Sequence, residues 1–427
     1  MVYKLYMNVA VIGSGGREHA ICESIIKSKK IKKLYCIPGN GGTASIAQNI
    51  DIDLLNFRKI RDFIKKNKIS LVVVGPEKPL VEGITNYLEK YKIKVFGPNK
   101  FASKLEGSKI FTKNICKKYK IPTAKFEVKQ NRNQSLKYIQ NTKFPLIIKA
   151  DNLASGKGVY ICKNQLEARK AINEIFDGKF GIAKKILFEE FLLGEEMSYF
   201  IISDGLTFKY FGSAQDHKRV LEGDKGKNTG GMGAYSPSRL FSKNLEKKII
   251  EKIIKPTLKA LKDKKEKFKG FLYAGLMIKN NEPYLIEYNV RMGDPECQTI
   301  LPNLKSDFLD ILIACCRNKL SEKKIKWHNK KSICIVLCSK GYPDKFKKNI
   351  EIKKLERIKK QKNQFIFHAG TFKKEKSFFS AGGRVLNFVS TSMNLAKSRA
   401  QVLKILKNLN WQNGFFRKDI GYKVINK

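Results

Sequence analysis

The sequence predicts a multidomain α/β and α+β protein that opens on an open parallel α/β sheet and closes on a small C-terminal α+β unit. Three observations carry this expectation. Up to about residue 100, short apolar, β-rich runs alternate with helical patterns, as in a parallel sheet covered by helices. After about residue 108 the runs are joined instead by polar, glycine-bearing loops. The chain of 427 residues also exceeds one ordinary core and implies roughly two to four domains.

Strands are expected at "NVAVIG", "KLYCIPG", "LVVVG" and "KVFG", separated by helices from about Arg17, near 57 to 67 and near 80 to 91. Such a sheet binds its ligands at the C-terminal strand ends. The first end, "GSGGREHA", fails as a dinucleotide fingerprint because Glu18 stands where the third glycine belongs. A glycine turn entering a helix can still hold a phosphate through its amides; a plain strand-to-helix turn is the alternative. Two more strand ends, "PGNGG" with Asn40 and "GPEKPLVEG" with Glu77, make a single crevice the better reading.

"SKIFTKNICKKYKIP" reads as a helix stopped by Pro122, followed by strands at "KFEV" and "PLIIKA". Lys149 ends the second strand, an expensive place for an ammonium group unless it is paired. Between that strand and "GVYICK" lies "DNLASGKG", where Lys157 sits in a loop whose amides can form an anion nest. No GxxxxGK[ST] occurs, which excludes a P-loop. "ILFEEFLLGEEMSYFIISDG" reads as strand, linker, strand, and leads to a long polar loop, "SAQDHKRVLEGDKGKNTGGMGAYSP". Loops of that length are functional or mobile, and this one groups Asp216, Lys218 and Arg219.

In "YLIEYNVRMGDPECQ", alternation puts Tyr284, Ile286, Tyr288 and Val290 on one face and Glu287, Asn289 and Arg291 on the other. A carboxylate and an amide two residues apart can ligate one hard cation, with Mg²⁺ the natural candidate. Arg291 could then hold a phosphate or a carboxylate. A solvated edge-strand face would look the same, but Asp294 and Glu296 in the following turn add two acids beside the first. Further strands and a helix follow at "ICIVLCSKGYP", "FIFHAGTF" and "AGGRVLNFVS".

Composition narrows the function classes. Apolar runs such as "FLDILIACC" are far shorter than the roughly 18 to 20 residues of a membrane helix, and the start is no signal peptide, so a cytoplasmic chain is expected. The nine cysteines form no CxxC pair and are expected to be reduced core residues. Lys and Arg total 86 against 38 acids, a net charge of +48. The lysines are spread over nearly every helix and loop, a compositional bias more than a patch, so no dedicated nucleic-acid partner is expected.

Taken together, "VIGSGGREHA", "PGNGG", "IKADNLASGKGV", "EEFLLGEE", "NTGGMGAYSP", "RMGDPECQ", "FHAGT", "GGRVL" and "RKDIGY" resemble the ATP-grasp superfamily and, within it, the phosphoribosylamine-glycine ligase family. The resemblance implies an N-terminal substrate-binding domain (1–107), a small ATP-grasp subdomain (108–195), a large one with the metal site (196–328) and a C-terminal domain (329–427). It implies a ligase that joins glycine to 5-phosphoribosylamine with ATP as cosubstrate and Mg²⁺ or Mn²⁺ as cofactor. A monomer working on small molecules, with no membrane partner, is expected.

By that resemblance Lys109, Lys149, Ser155, Gly156, Lys157 and Gly158 contact ATP phosphates, and Glu189 with Glu190, Phe191 and Leu192 reads the adenine edge. Glu196 reads the ribose, Glu287 and Asn289 ligate the metal, and Arg291 stabilises the phosphoryl group. Arg291, Lys149 and Asp294 are the expected catalytic residues. Asp216, Lys218 and Arg219, with Asp294, shape the glycine region, and Gly15, Gly16, Arg17, Glu18, Asn40 and Glu77 hold phosphoribosylamine. Departures from the family pattern are few: Met292 replaces a phenylalanine, Asn152 and Ser155 replace glycine and alanine, and residues 1–6 precede the usual start. The rival readings are a sister ATP-grasp ligase, which "GSGGREHA" argues against, and an RNA-binding protein on an inactive ligase scaffold.

Overall fold

The structure, a computed structural model, describes residues 6–151, 153, 158–181 and 183–425. Strands β1 (Met7–Gly13), β2 (Ile31–Pro38), β3 (Gln48–Asn49), β4 (Ile69–Val74) and β5 (Val95–Phe96) form a parallel sheet in the order β3-β2-β1-β4-β5. Val9, Ala10, Val11 and Ile12 are fully buried because helices cover both faces of the central strand. Each large aliphatic side chain so buried contributes about 1.5–3 kcal/mol. The helix expected near 80 to 91 is two helices, Glu77–Glu82 and Ile84–Glu89, broken at Gly83 by its left-handed φ of +95°.

The next unit is an antiparallel sheet of β6 (Phe126–Lys129), β7 (Leu146–Ala150), β8 (Val159–Cys162) and β9 (Ile186–Glu190), in the order β6-β9-β7-β8. Ile148, Ile172 and Phe188 belong to a core of its own. The helix before it, Lys109–Lys118, starts where the Ser108 hydroxyl accepts the Phe111 N–H.

The remainder supplies β10 (Glu195–Asp204), β11 (Phe208–Asp216), β12 (Arg219–Leu221), β13 (Lys225–Asn228), β14 (Gly233–Ser236), β15 (Lys269–Lys279) and β16 (Glu282–Asn289). It continues with β17 (Lys331–Ser339), β18 (Gln364–His368), β19 (Thr371–Lys374), β20 (Ser377–Ser380), β21 (Arg384–Ser392) and β22 (Gly414–Phe415). One sheet runs β16-β15-β10-β11-β14-β17-β21-β18, with β22 added on β17. The C-terminal strands thus continue the middle sheet, because β17 pairs with β14 and covers an edge that would otherwise stay open. The expected long polar loop is partly ordered as the β12–β13 hairpin. All nine cysteines are free, and eight of them are buried. Among the described residues no helix is long and apolar enough to cross a membrane.

Candidate active site

A cleft of about 770 Å³ opens where the three parts meet. On its lid side Lys149 ends β7, and its ammonium has the required counter-ion: Nζ lies 2.9 Å from Glu189 Oε2 on the neighbouring β9. The other Glu189 oxygen lies 3.2 Å from Lys113 Nζ, and all three side chains are only 3–4% exposed. Burial works against the Glu189 carboxylate, but Lys149 and Lys113 outweigh it and hold the group below its usual range. Glu189, expected at the adenine edge, therefore has its carboxylate committed to two lysines. Glu190 also has a bracing contact, accepting the Lys125 N–H at 2.8 Å, while Glu190, Phe191 and Leu192 all line the cleft. Lys109 and Gly158 line it too; Ser155, Gly156 and Lys157 lie outside the described residues. Lys113 escaped the sequence reading, although its i+4 spacing from Lys109 on one helix was a usable signal.

Strand β16 carries a β-bulge: Glu287 pairs with Gly275 and Leu285 with Leu276, so Ile286 is the extra residue. The bulge resets the alternation. Leu285, Tyr288 and Val290 enter the core, whereas Ile286, expected among them, lines the cleft with Glu287 and Asn289. Burial opposes ionisation of Glu287, but Lys218, Lys149, Lys109 and Arg291 together keep its carboxyl below the usual range. Arg291 is gripped by acids that sequence did not pair with it. Its Nη2 lies 2.7 Å from Glu106, its Nε donates to Glu77 at 3.2 Å, and its Nη1 donates to the Met292 carbonyl.

On the side of the N-terminal sheet, the Glu18 carboxylate folds back to accept the Gly15 N–H at 2.6 Å and Arg17 Nε at 2.5 Å. Arg17 also donates from its backbone to Asp294 and from its side chain to the Met292 carbonyl, stitching the start of the first helix to the Asp294 turn. Burial raises the Asp294 carboxyl, but Arg384 and Arg17 outweigh it, and the group sits below its ordinary value. Asn40 and Gly16, expected to hold substrate, do not line the cleft. The Asn40 amide donates to the carbonyls of Ser14 and His368, and its oxygen accepts from Gly42 and Thr43. Its hydrogen-bonding capacity is spent on bracing the loop; Gly16 packs the helix start against Asn387 and Gln298.

Asp216 lines the cleft with its Oδ1 buried and without a hydrogen-bond partner among the described residues. Burial, then Glu296, pushes its carboxyl well up. Lys218 pairs with Glu196 at 2.8 Å, and Arg219 donates to the Gly226 carbonyl across the hairpin. Arg384, which in sequence stands out only as part of "GGRVL", reaches in from β21 and donates to the carbonyls of Gly230 and Asp294.

A four-stranded antiparallel lid facing a long antiparallel sheet across such a cleft is the architecture of an ATP-grasp enzyme. A solved structure shares this fold: the biotin carboxylase domain of Hydrogenobacter thermophilus 2-oxoglutarate carboxylase, in complex with MgADP and bicarbonate, superposes with TM-score 0.71 over 94% of this chain and 90% of its own. At 16% identity that likeness concerns the fold alone. Narrower matches follow. Residues 7–106, 107–297 and 332–423 match the N, ATP-grasp (A) and C domains of phosphoribosylglycinamide synthetase. The phosphoribosylamine–glycine ligase of Brucella melitensis is 42% identical over 99% of both chains. The crystal structure of the Thermotoga maritima phosphoribosylamine–glycine ligase superposes with TM-score 0.84 at 31% identity, covering 97% of this chain and all of that one. The chain belongs to the phosphoribosylamine–glycine ligase family of carbon–nitrogen ligases.

Proposed function

We propose that this chain joins glycine to 5-phosphoribosylamine at the expense of ATP, giving glycinamide ribonucleotide, ADP and phosphate through a glycyl phosphate, a step of purine biosynthesis. The observation that carries the reading is convergence: Gly15, Arg17 and Glu18 at the start of the first helix, the lysines Lys109 and Lys149, and the Glu287–Asn289 pair open on one cleft. A carboxylate does not acylate an amine at neutral pH, so glycine is first phosphorylated. The glycine carboxylate attacks the γ-phosphorus and ADP leaves; the substrate amine then attacks the acyl carbon, phosphate leaves, and the amine loses its proton.

Phosphoryl transfer between anions needs positioning and charge neutralisation more than covalent help. Lys109 and Lys149 supply positive charge to the ATP phosphates, with Glu189 fixing Lys149. The Glu190–Leu192 linker faces the adenine, and Glu196 with Lys218 faces the ribose. Glu287, kept ionised by its lysines, and Asn289 would hold a hard divalent cation, which prefers oxygen ligands. Mg²⁺ or Mn²⁺ held there would neutralise charge on the transferring phosphate. Arg291 stabilises the transferring group, Asp216, Arg219 and Asp294 shape the glycine region, and Gly15, Arg17, Glu18 and Glu77 hold phosphoribosylamine. The units 1–107, 108–195, 196–328 and 329–427 divide this work. Phosphate release from ATP with Mg²⁺, omitting each substrate in turn, tests the reading. Release should require both glycine and freshly generated phosphoribosylamine; release with neither would overturn it.

A further inference from the structure

Glu106 lies on a single helical turn, Lys104–Gly107, at the passage from the N-terminal sheet to the helix that carries Lys109. Its side chain is 7% exposed, and both carboxylate oxygens are occupied. Oε1 lies 2.7 Å from Arg291 Nη2, and Oε2 accepts the Val290 N–H at 2.7 Å. One carboxylate therefore grips the backbone just past the end of β16 and the guanidinium one residue further on. Since β16 ends at Asn289, the same bridge fixes the strand end that bears Glu287 and Asn289.

The second acid on Arg291, Glu77, is held differently. Its contact is longer, 3.2 Å, its side chain is 24% exposed, and it comes from the substrate side of the cleft. The two carboxylates thus share one guanidinium, Glu106 at Nη2 and Glu77 at Nε. With Glu106 neutral, Glu77 alone would draw Arg291 toward the substrate loop and away from the strand end. We propose, on the basis of the ligase reading above, that Glu106 is a positioning residue of the ligation, holding the Arg291 guanidinium against the metal-bearing end of β16 in a fixed plane.

The groups facing Glu106 are Arg291 and the Val290 N–H from the end of β16, Glu77 from beyond β4, and Arg17 from the first helix. Burial, with Glu77 adding and Arg291 opposing, pushes the Glu106 carboxyl up to about 7. The ionised bridge then forms as pH rises through neutrality, and kcat should rise with it.

The test is a double-mutant cycle on glycine- and phosphoribosylamine-dependent ADP formation, using the parent, Glu106→Gln, Arg291→Lys and the double variant. Glutamine keeps the acceptor for Val290 but loses the charge. Its kcat should fall on the order of tenfold or more, as displacing a reacting-site group by about 1 Å can cost still more. ATP affinity should be unchanged, the rise of kcat near pH 7 should disappear, and the double variant should be no slower than Arg291→Lys alone. Additive losses, or Glu106→Gln at parental kcat, would overturn the inference while leaving the ligase reading intact. A parent without the two-substrate requirement would overturn both. Should Glu106→Gln fail to fold, Glu106→Asp carries the cycle, because it keeps the charge and withdraws an oxygen from one of the two contacts.

Discussion

The Glu189 carboxylate lies between two buried ammonium groups, and its three-way contact decides what the cleft can tolerate. Removing Lys113 leaves one carboxylate with one lysine. Removing the Glu189 charge leaves two buried cations without the ion-pair partner they share, which is the costlier outcome. Glu189→Gln should therefore destabilise by about 3–5 kcal/mol, as for other broken buried pairs, and Lys113→Met by less; denaturant unfolding of the two variants reads the order. Sequence signalled the need for a partner, since Lys149 ends an apolar strand, but not its identity, which depends on the pairing of β7 with β9. The same limit applies to Arg291, whose partner Glu106 is 185 positions away in the sequence and contacts it only through the fold. That Glu287 and Asn289 line one cleft was legible because two residues on one strand face share a direction. Glu287→Gln should lower Mg²⁺-dependent turnover by on the order of two or more decades, the loss expected when a main electrostatic group is removed. Unchanged turnover would sink the metal assignment.

At the scale of elements, the sheet edges and turns carry the information that periodicity misses. Strict alternation assigned Ile286 to the core, and the bulge on β16 moved it to the cleft while keeping Glu287 and Asn289 together. A bulge is a property of two strands, and the partner β15 cannot be aligned from sequence alone. The glycine-rich stretch after β13 behaves similarly: its composition marked it as special, but its contacts come from distant segments. Gly230 donates its N–H to the Tyr342 hydroxyl and accepts from Arg384, both from the C-terminal strands' side of the chain. Gly231 has a φ of +111°, and a Cβ there would lie 2.6 Å from Pro295 Cδ and 2.8 Å from Asp216 Oδ1. Gly231→Ala combines an unfavourable backbone with a clash, a strain of about 1–3 kcal/mol, and the loop must move off Asp216 to relieve it. The KM for glycine should rise by about tenfold, if most of that strain falls on the loop's bound position, while ATP binding stays unchanged. Equal losses for glycine and ATP would place the disturbance in the fold at large.

Over the whole molecule, neutral histidines tie the N-terminal helix to the C-terminal strands and the C-terminal end to the middle of the chain. The His19 ring on the first helix accepts the His368 N–H at 2.8 Å through Nδ1, a contact spanning 349 residues, and His217 Nε2 accepts the Gly421 N–H at 3.1 Å across 204. An imidazole that accepts must be unprotonated at that nitrogen, and burial enforces this. It holds His217 and His368 down to about 4, with Arg417 aiding at His217 and Lys360 at His368, and it holds His19 well below its usual 6.5. No spacing in the sequence announces such pairs, because contacts of this range are set by how the N-terminal helix docks on the C-terminal strands. Their consequence has a definite sign. Between about pH 6.5 and 4 the unfolded chain takes up protons on these histidines that the folded chain refuses, so stability is lost as pH falls through that window. Calorimetry should show Tm dropping by several degrees from pH 7 to pH 5. The +48 net charge adds repulsion as carboxylates protonate, but this part is screened by salt, whereas the buried histidines are not. The drop should therefore persist in high salt, and His368→Gln, which removes one buried imidazole, should make it shallower. A Tm that stays flat with pH in high salt would mean that these rings do not have to remain neutral for the chain to close.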